Sequence, residues 1–185
     1  MSKDRTIVAA SVIFALAAAG CGSSKGTDGG GAAASGPELK PLLLPDGGLE
    51  GYSQVTPPIQ ASDVVEWAAL NADTPARLRA LGFVEGVRAD LKNAQGTPGL
   101  NVIERFGTPA AAQREVRSLP GAGRVVRFPV PGVPGAVGVE VWAPRGRDVV
   151  FAKGSTFYLV GSQLGPGASR AALISAARRQ YAAAP

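Results

Sequence analysis

The stretch from Asp148 to Gly161, DVVFAKGSTFYLVG, constrains this chain more than any other. Two apolar runs flank Lys153-Gly154-Ser155, which reads as the tight turn of a β-hairpin. Strand alternation puts Val149, Phe151, Tyr158 and Val160 on one face, and Val150, Ala152, Phe157 and Leu159 on the other. A hairpin that is apolar on both faces belongs at the centre of a sheet, covered on each side.

Three segments carry helix start signals. Thr74-Pro75 opens TPARLRALG, with Thr74 as N-cap, proline at the first helical position and Gly82 as terminator. Thr108-Pro109 opens a second helix with Ala112, Val116 and Leu119 on one face, ended by Pro120-Gly121. Pro166-Gly167 precedes a third, about residues 169–183, in which Ile174, Ala177 and Tyr181 form the inward stripe. Residues 63–70 read as a further short helix.

Strands are expected at 83–91, 100–106, 125–130 and 136–142, besides the two of the central hairpin. The turn-rich segment 92–99 joins the first two into a hairpin. Strands that arrive in hairpins, with helices between groups, predict the α+β class: an antiparallel sheet flanked by helices in an α/β/α-like layering.

The N-terminus reads as an address. Lys3 and Arg5 precede an uncharged run from Ile7 to Leu16, and small residues lead to Cys21, the single cysteine of the chain. This is the pattern of a secretory signal, and the run is shorter than the ~20 apolar residues of a membrane span. Ala18-Ala19-Gly20-Cys21 resembles the lipobox of bacterial lipoproteins, which implies a diacylglyceryl group on Cys21 and attachment to the extracytoplasmic face of the cell membrane. The alternative is a secreted protein cleaved near Ala19. Residues 1–20 are thus expected to be a signal peptide, 21–41 a lipidated cysteine with a flexible Gly/Ser/Ala tether, and 42–185 a single domain.

Several stretches also resemble secreted actinobacterial lipoproteins of unknown function: GFVEGVRADLKN with LNVIERFGTPAAA, and VPGAVGVEVW with DVVFAKGSTFYLVGSQ. Some envelope lipoproteins of that type are similar to the Mog1/PsbP-like fold, which agrees with the layering. The resemblance implies an address and a fold and carries over no catalytic residue.

Composition narrows the chemistry. The chain has no histidine, the commonest general base and metal ligand, and one cysteine cannot make a disulfide framework or a cysteine zinc site. Gly22-Ser23-Ser24-Lys25-Gly26 matches a nucleophile elbow in letters only, because it lies in the tether and has no histidine to serve it. No metal or other cofactor is expected. The net charge of +5 falls to +4 without residues 1–20, and no basic run with interleaved aromatics suggests nucleic acid.

Candidate ligand-binding residues are Glu85, Glu104, Trp142 and Tyr158. If Leu91 pairs with Leu100, Glu104 lies opposite Val87 and diagonal to Glu85, so two carboxylates share an apolar face within ~7–8 Å. Otherwise each sits at the sheet rim, or pairs with an arginine such as Arg88, Arg105 or Arg127. Trp142 joins Glu140 on one strand face, and Phe151 and Tyr158 are either core or a ligand surface. Together these features predict a monomeric, membrane-anchored, non-catalytic module that binds an envelope protein or an apolar ligand. A carrier of apolar envelope molecules, or a hydrolase using Glu85 and Glu104, are the other readings.

Overall fold

In the computed structural model, the hairpin expected at the centre is there, formed by the seventh and eighth strands of an eight-stranded antiparallel sheet. The structure describes residues 36–118, 125–142, 145–163 and 167–185. The expected signal peptide, Cys21 and most of the tether, together with Leu119 and Pro120-Gly121, lie outside the described residues.

The strands are β1 Tyr52–Gln54, β2 Ile59–Ala61, β3 Phe83–Asn93, β4 Pro98–Phe106, β5 Val125–Pro129, β6 Val137–Trp142, β7 Arg145–Lys153 and β8 Thr156–Gln163. Their order is β1-β3-β4-β8-β7-β6-β5, with β2 also paired to β3. The helices are α1 Val64–Leu70, α2 Pro75–Leu81, α3 Pro109–Ser118 and α4 Arg170–Ala183. The protein is an α+β fold, with a central antiparallel sheet flanked by these four helices.

Local chemistry sets the helix ends. Asp63 accepts hydrogen bonds from the amides of Val65 and Glu66, and Thr74 and Ser169 cap α2 and α4 through their hydroxyls. Gly82 closes α2 with a left-handed φ of 71°.

The sheet has two buried faces. Face A carries Val150, Ala152 and Phe157, packed against Ala111, Ala112 and Val116 of α3, with Leu100 and Val102 against Trp67 of α1 and Leu78 of α2. Face B carries Val87, Ile103, Val149, Phe151, Tyr158 and Val160 against α4. Leu39 is fully buried within the face B core, so packing begins ahead of the boundary expected at residue 42.

A clasp of amides holds that N-terminal segment. Asn101, fully buried, accepts from the Leu44 amide at 2.8 Å and exchanges hydrogen bonds with Gln180 of α4 at 3.1 and 3.2 Å. Gln180 also donates to the Leu42 carbonyl at 3.0 Å. This explains a correction on α4. Its buried residues are Ala172, Leu173, Ala176, Ala177 and Gln180, while Ile174 and Tyr181 flank that face partly buried. The clasp turns position 180 inward, which a hydrophobic pattern cannot anticipate.

The β3–β4 register differs from the expected one. The Asn93 amide donates to the Thr97 carbonyl at 3.1 Å around a three-residue loop in which Gly96 takes a φ of 81°. That loop pairs Leu91 with Gly99 and Asp90 with Leu100. A second shift, a bulge between Phe83 and Glu85, moves Phe83 onto the face opposite Val87.

Candidate functional site

The register separates the two glutamates. Glu104 pairs with Gly86 and Glu85 with Arg105, so neighbouring positions put the carboxylates on opposite faces of the sheet. On face B, Glu85 is held by Arg105 at 2.5 Å and by Gln60 at 3.3 Å. Arg105 is itself buried and also donates to the Pro37 carbonyl. The Glu85–Glu104 pair that a Leu91–Leu100 register would make therefore does not form, and Glu85 has Arg105, one of the arginine partners of the alternative reading. Tyr158 is fully buried, stacked on Phe151 at 4.7 Å between ring centres, and burial pushes its hydroxyl up to about 12. Trp142 is half exposed at the end of β6, in line with Glu140 on face B.

Glu104 lies at the floor of a cleft. Helices α1, α2 and α3 leave part of face A uncovered, and a cleft of about 430 Å³ opens between them and the sheet. A second cleft of about 380 Å³ shares Arg88, Leu100 and Gln163 with it and extends the trough along β3 toward Lys92.

Gly86 is what lets Glu104 be buried as it is. A Cβ at this position would collide with the indole of Trp67, so the bare backbone allows the ring to lie against the strand. From there the indole Nε1 donates to Glu104 Oε1 at 2.6 Å. The other oxygen, Oε2, is buried and has no partner among the described residues. Glu104 is 5% exposed, and removal from water pushes its carboxyl up to about 7. The Trp67 hydrogen bond opposes that shift, the charge of Glu115 adds to it, Arg77 opposes it and Asp73 adds a little.

Asp148 lines the same cleft from β7. It pairs with Gly161, where a Cβ would collide with the Asp148 carboxylate, so the missing side chain is the space the carboxylate occupies. Desolvation pushes it up to about 6, and it makes no hydrogen bond or ion pair to the described residues.

Two arginines order the rim. Arg77 of α2 bonds Asp73 through Nε at 2.8 Å and Glu115 of α3 through Nη1 at 2.5 Å, one guanidinium serving two carboxylates. Hydrogen bonding to Arg77 holds Asp73 below the usual carboxylate range. Arg88 of β3 bonds Asp90 at 2.8 Å and the Leu70 carbonyl at 2.5 Å, which ties the strand to the end of α1. Between Asn71 and Asp73, Ala72 takes a φ of 52°, a left-handed conformation that costs a non-glycine residue roughly 1–2 kcal/mol.

Glu104 and Asp148 both line the first cleft but lie far apart in it. Asp148 is in the row of Gly161 and Leu100, four residues along β4 from Glu104 and two strands across. Those steps come to roughly 13 Å along the strand and about 9.5 Å across the sheet. Neither charge contributes to the other's shift. They do not form the close pair of a retaining glycosidase, whose carboxyls lie ~5–5.5 Å apart. Leu100, Val102, Phe157 and Leu159 pave the floor between them.

Sequence reasoning found Glu104 and missed Asp148, Trp67, Asp73, Arg77 and Glu115. The signal for Asp148 was its charge at the start of a run apolar on both faces. β7 begins three residues earlier at Arg145, so Asp148 is inside the strand and its parity with Val150 and Ala152 aims it at face A.

Among the described residues, no group of three His, Cys, Asp or Glu side chains could hold a metal ion, and no helix is long and apolar enough to cross a membrane. No protein-family model matches the chain, and no curated protein or solved structure is significantly similar to it.

Proposed function

We propose that the chain is a lipid-anchored, extracytoplasmic, non-catalytic binding module whose ligand occupies the trough on face A. One observation carries the ligand site: Glu104, at the floor of a cleft, has one carboxylate oxygen fixed by Trp67 and the other, Oε2, buried without a partner among the described residues. A buried acceptor without a donor costs about 1–3 kcal/mol, and a ligand bringing one recovers that cost. The anchor rests on the lipobox-like Ala18-Ala19-Gly20-Cys21, because two acyl chains hold a protein stably to a bilayer without a membrane span.

Each half has its own test. Cys21→Ala moves the protein from the membrane to the soluble fraction and removes fatty-acid labelling; a variant that stays labelled refutes the anchor. For the ligand site, amide NMR spectra of the full-length protein in detergent are recorded with small-molecule extracts of the envelope. Shifts are expected at Trp67, Ala72, Leu100 and Gly161 around the trough. Shifts confined to face B or to the Trp142 end of β6 overturn the assignment.

A further inference from the structure

The trough is an acidic recess in a basic protein. The chain carries net charge +5, yet Asp73, Asp90, Glu104, Glu115 and Asp148 line the two joined clefts, against Arg77, Arg88 and Lys92. Arg77 is divided between Asp73 and Glu115, and Arg88 is taken by Asp90. One guanidinium for two carboxylates leaves a net negative charge at the Asp73–Glu115 rim. The carboxylates with no arginine partner among the described residues are Glu104 and Asp148, with an apolar floor between.

We propose that the trough binds an aliphatic polyamine, with one ammonium group on Glu104 Oε2, another on Asp148, and the alkyl chain across Leu100, Val102, Phe157 and Leu159. This rests on the reading of the trough as a ligand site and names the class of ligand it takes.

The geometry selects the cation. A planar guanidinium binds a carboxylate best through two parallel hydrogen bonds, one to each oxygen. At Glu104 that mode is blocked, because Oε1 already accepts from Trp67 Nε1 at 2.6 Å. A single free oxygen, on a residue only 5% exposed, suits a slender point charge with three donors, which is an ammonium. The length selects the chain. Glu104 and Asp148 lie four residues and two strands apart, so a monoamine reaches one of them and a long, flexible diamine or triamine reaches both. Methylene groups between the nitrogens replace water on the four apolar side chains of the floor.

Seating an ammonium on Glu104 requires its carboxylate form. Where the free protein holds the acid, binding releases one proton from Glu104 to the buffer, and the ammonium keeps all of its own. The groups facing Glu104 are Trp67 of α1, Asp73 before α2, Arg77 of α2 and Glu115 of α3. Burial holds Glu104 near 7, so affinity rises as pH increases through that value.

The test is calorimetric titration of the full-length protein in detergent with spermidine, at low salt and at pH 6 and 8, in two buffers of different ionisation enthalpy. The expected result is tighter binding at pH 8, with proton release at pH 6 that Glu104→Gln lowers to the part released by Asp148, which burial holds near 6. Glu104→Gln and Asp148→Asn each weaken spermidine by about tenfold or more, the scale of a lost charge-assisted hydrogen bond. Butylamine, which reaches only one carboxylate at a time, binds more weakly than spermidine. No spermidine binding at pH 8, equal binding to both variants, or butylamine binding as tightly as spermidine overturns the proposal. If envelope extracts perturb the trough while spermidine does not, the ligand site stands and its polyamine assignment falls.

Discussion

Glu104 is kept out of water at a cost that depends on pH. Its carboxyl titrates near 7 in the folded chain and near its ordinary value when unfolded, so between about 4.5 and 7 the folded state binds the extra proton. Stability from this group is therefore greatest below that window and declines as pH rises through it. A displacement of two to three pH units corresponds to roughly 3 kcal/mol. Glu104→Gln keeps an oxygen for Trp67 Nε1 and removes the titration. The variant is expected to be more stable than the parent at pH 8, by about 1–3 kcal/mol, and equal to it near pH 4. Urea melts across that range measure this; a parent and a variant with the same pH profile refute the buried, unpaired carboxylate.

At the scale of elements, α1 and β3 meet through an absence. Gly86 leaves room for the indole of Trp67, and the ring in turn fixes Glu104. Gly86→Ala forces the ring off the strand and is expected to cost about 1–3 kcal/mol, as overpacked cores do. Water then reaching the carboxylate lowers the Glu104 pKa by more than loss of the Trp67 hydrogen bond raises it, because desolvation is the larger of the two effects. Carboxyl NMR reads the change; a titration that stays put or rises shows that the indole does not keep Glu104 dry.

How much of this was legible in the sequence depends on the range of the interaction that decides it. Thr74-Pro75, Asp63 and Gly82 act within one turn of helix, and the elements they bound were readable. The hairpin from Asp148 to Gly161 declared its central place because both of its faces are apolar. The β3–β4 register was not readable, because it turns on the loop conformation at Gly96 and on a bulge at Glu85, neither of which alters the alternating pattern enough to betray itself. One residue of slip was enough to move Glu104 from beside Glu85 to the other face. The rim of Asp73, Arg77 and Glu115 was equally hidden, since it joins residues 38 positions apart on separate helices. The short strands β1 and β2, three residues each, carry too little pattern to be seen.

At the scale of the whole molecule, the two faces of the sheet are served by different parts of the chain. Face A is covered by α1 to α3, and face B by α4 and the segment from Leu39 to Leu44. A chain beginning at Leu42 loses the fully buried Leu39 and the Pro37 carbonyl that Arg105 bonds. Relative to one beginning at Gly36, it is expected to be less stable by about 2–3 kcal/mol, the worth of a buried leucine. Matching denaturant midpoints for the two would show that this segment is only an appendage.

The same arrangement has a mechanical consequence. The chain enters the domain along face B, where Leu39 is wedged in the core and the Asn101–Gln180 amides grip residues 42 and 44, while the trough opens on face A. A pull on the chain ahead of residue 36 is thus borne first by the Arg105 bond to the Pro37 carbonyl and by the buried Leu39, and then by the clasp and α4. Asn101 and Arg105 belong to β4, the strand that carries Glu104 on its other face, so a load on the N-terminal segment reaches the recess through a single strand.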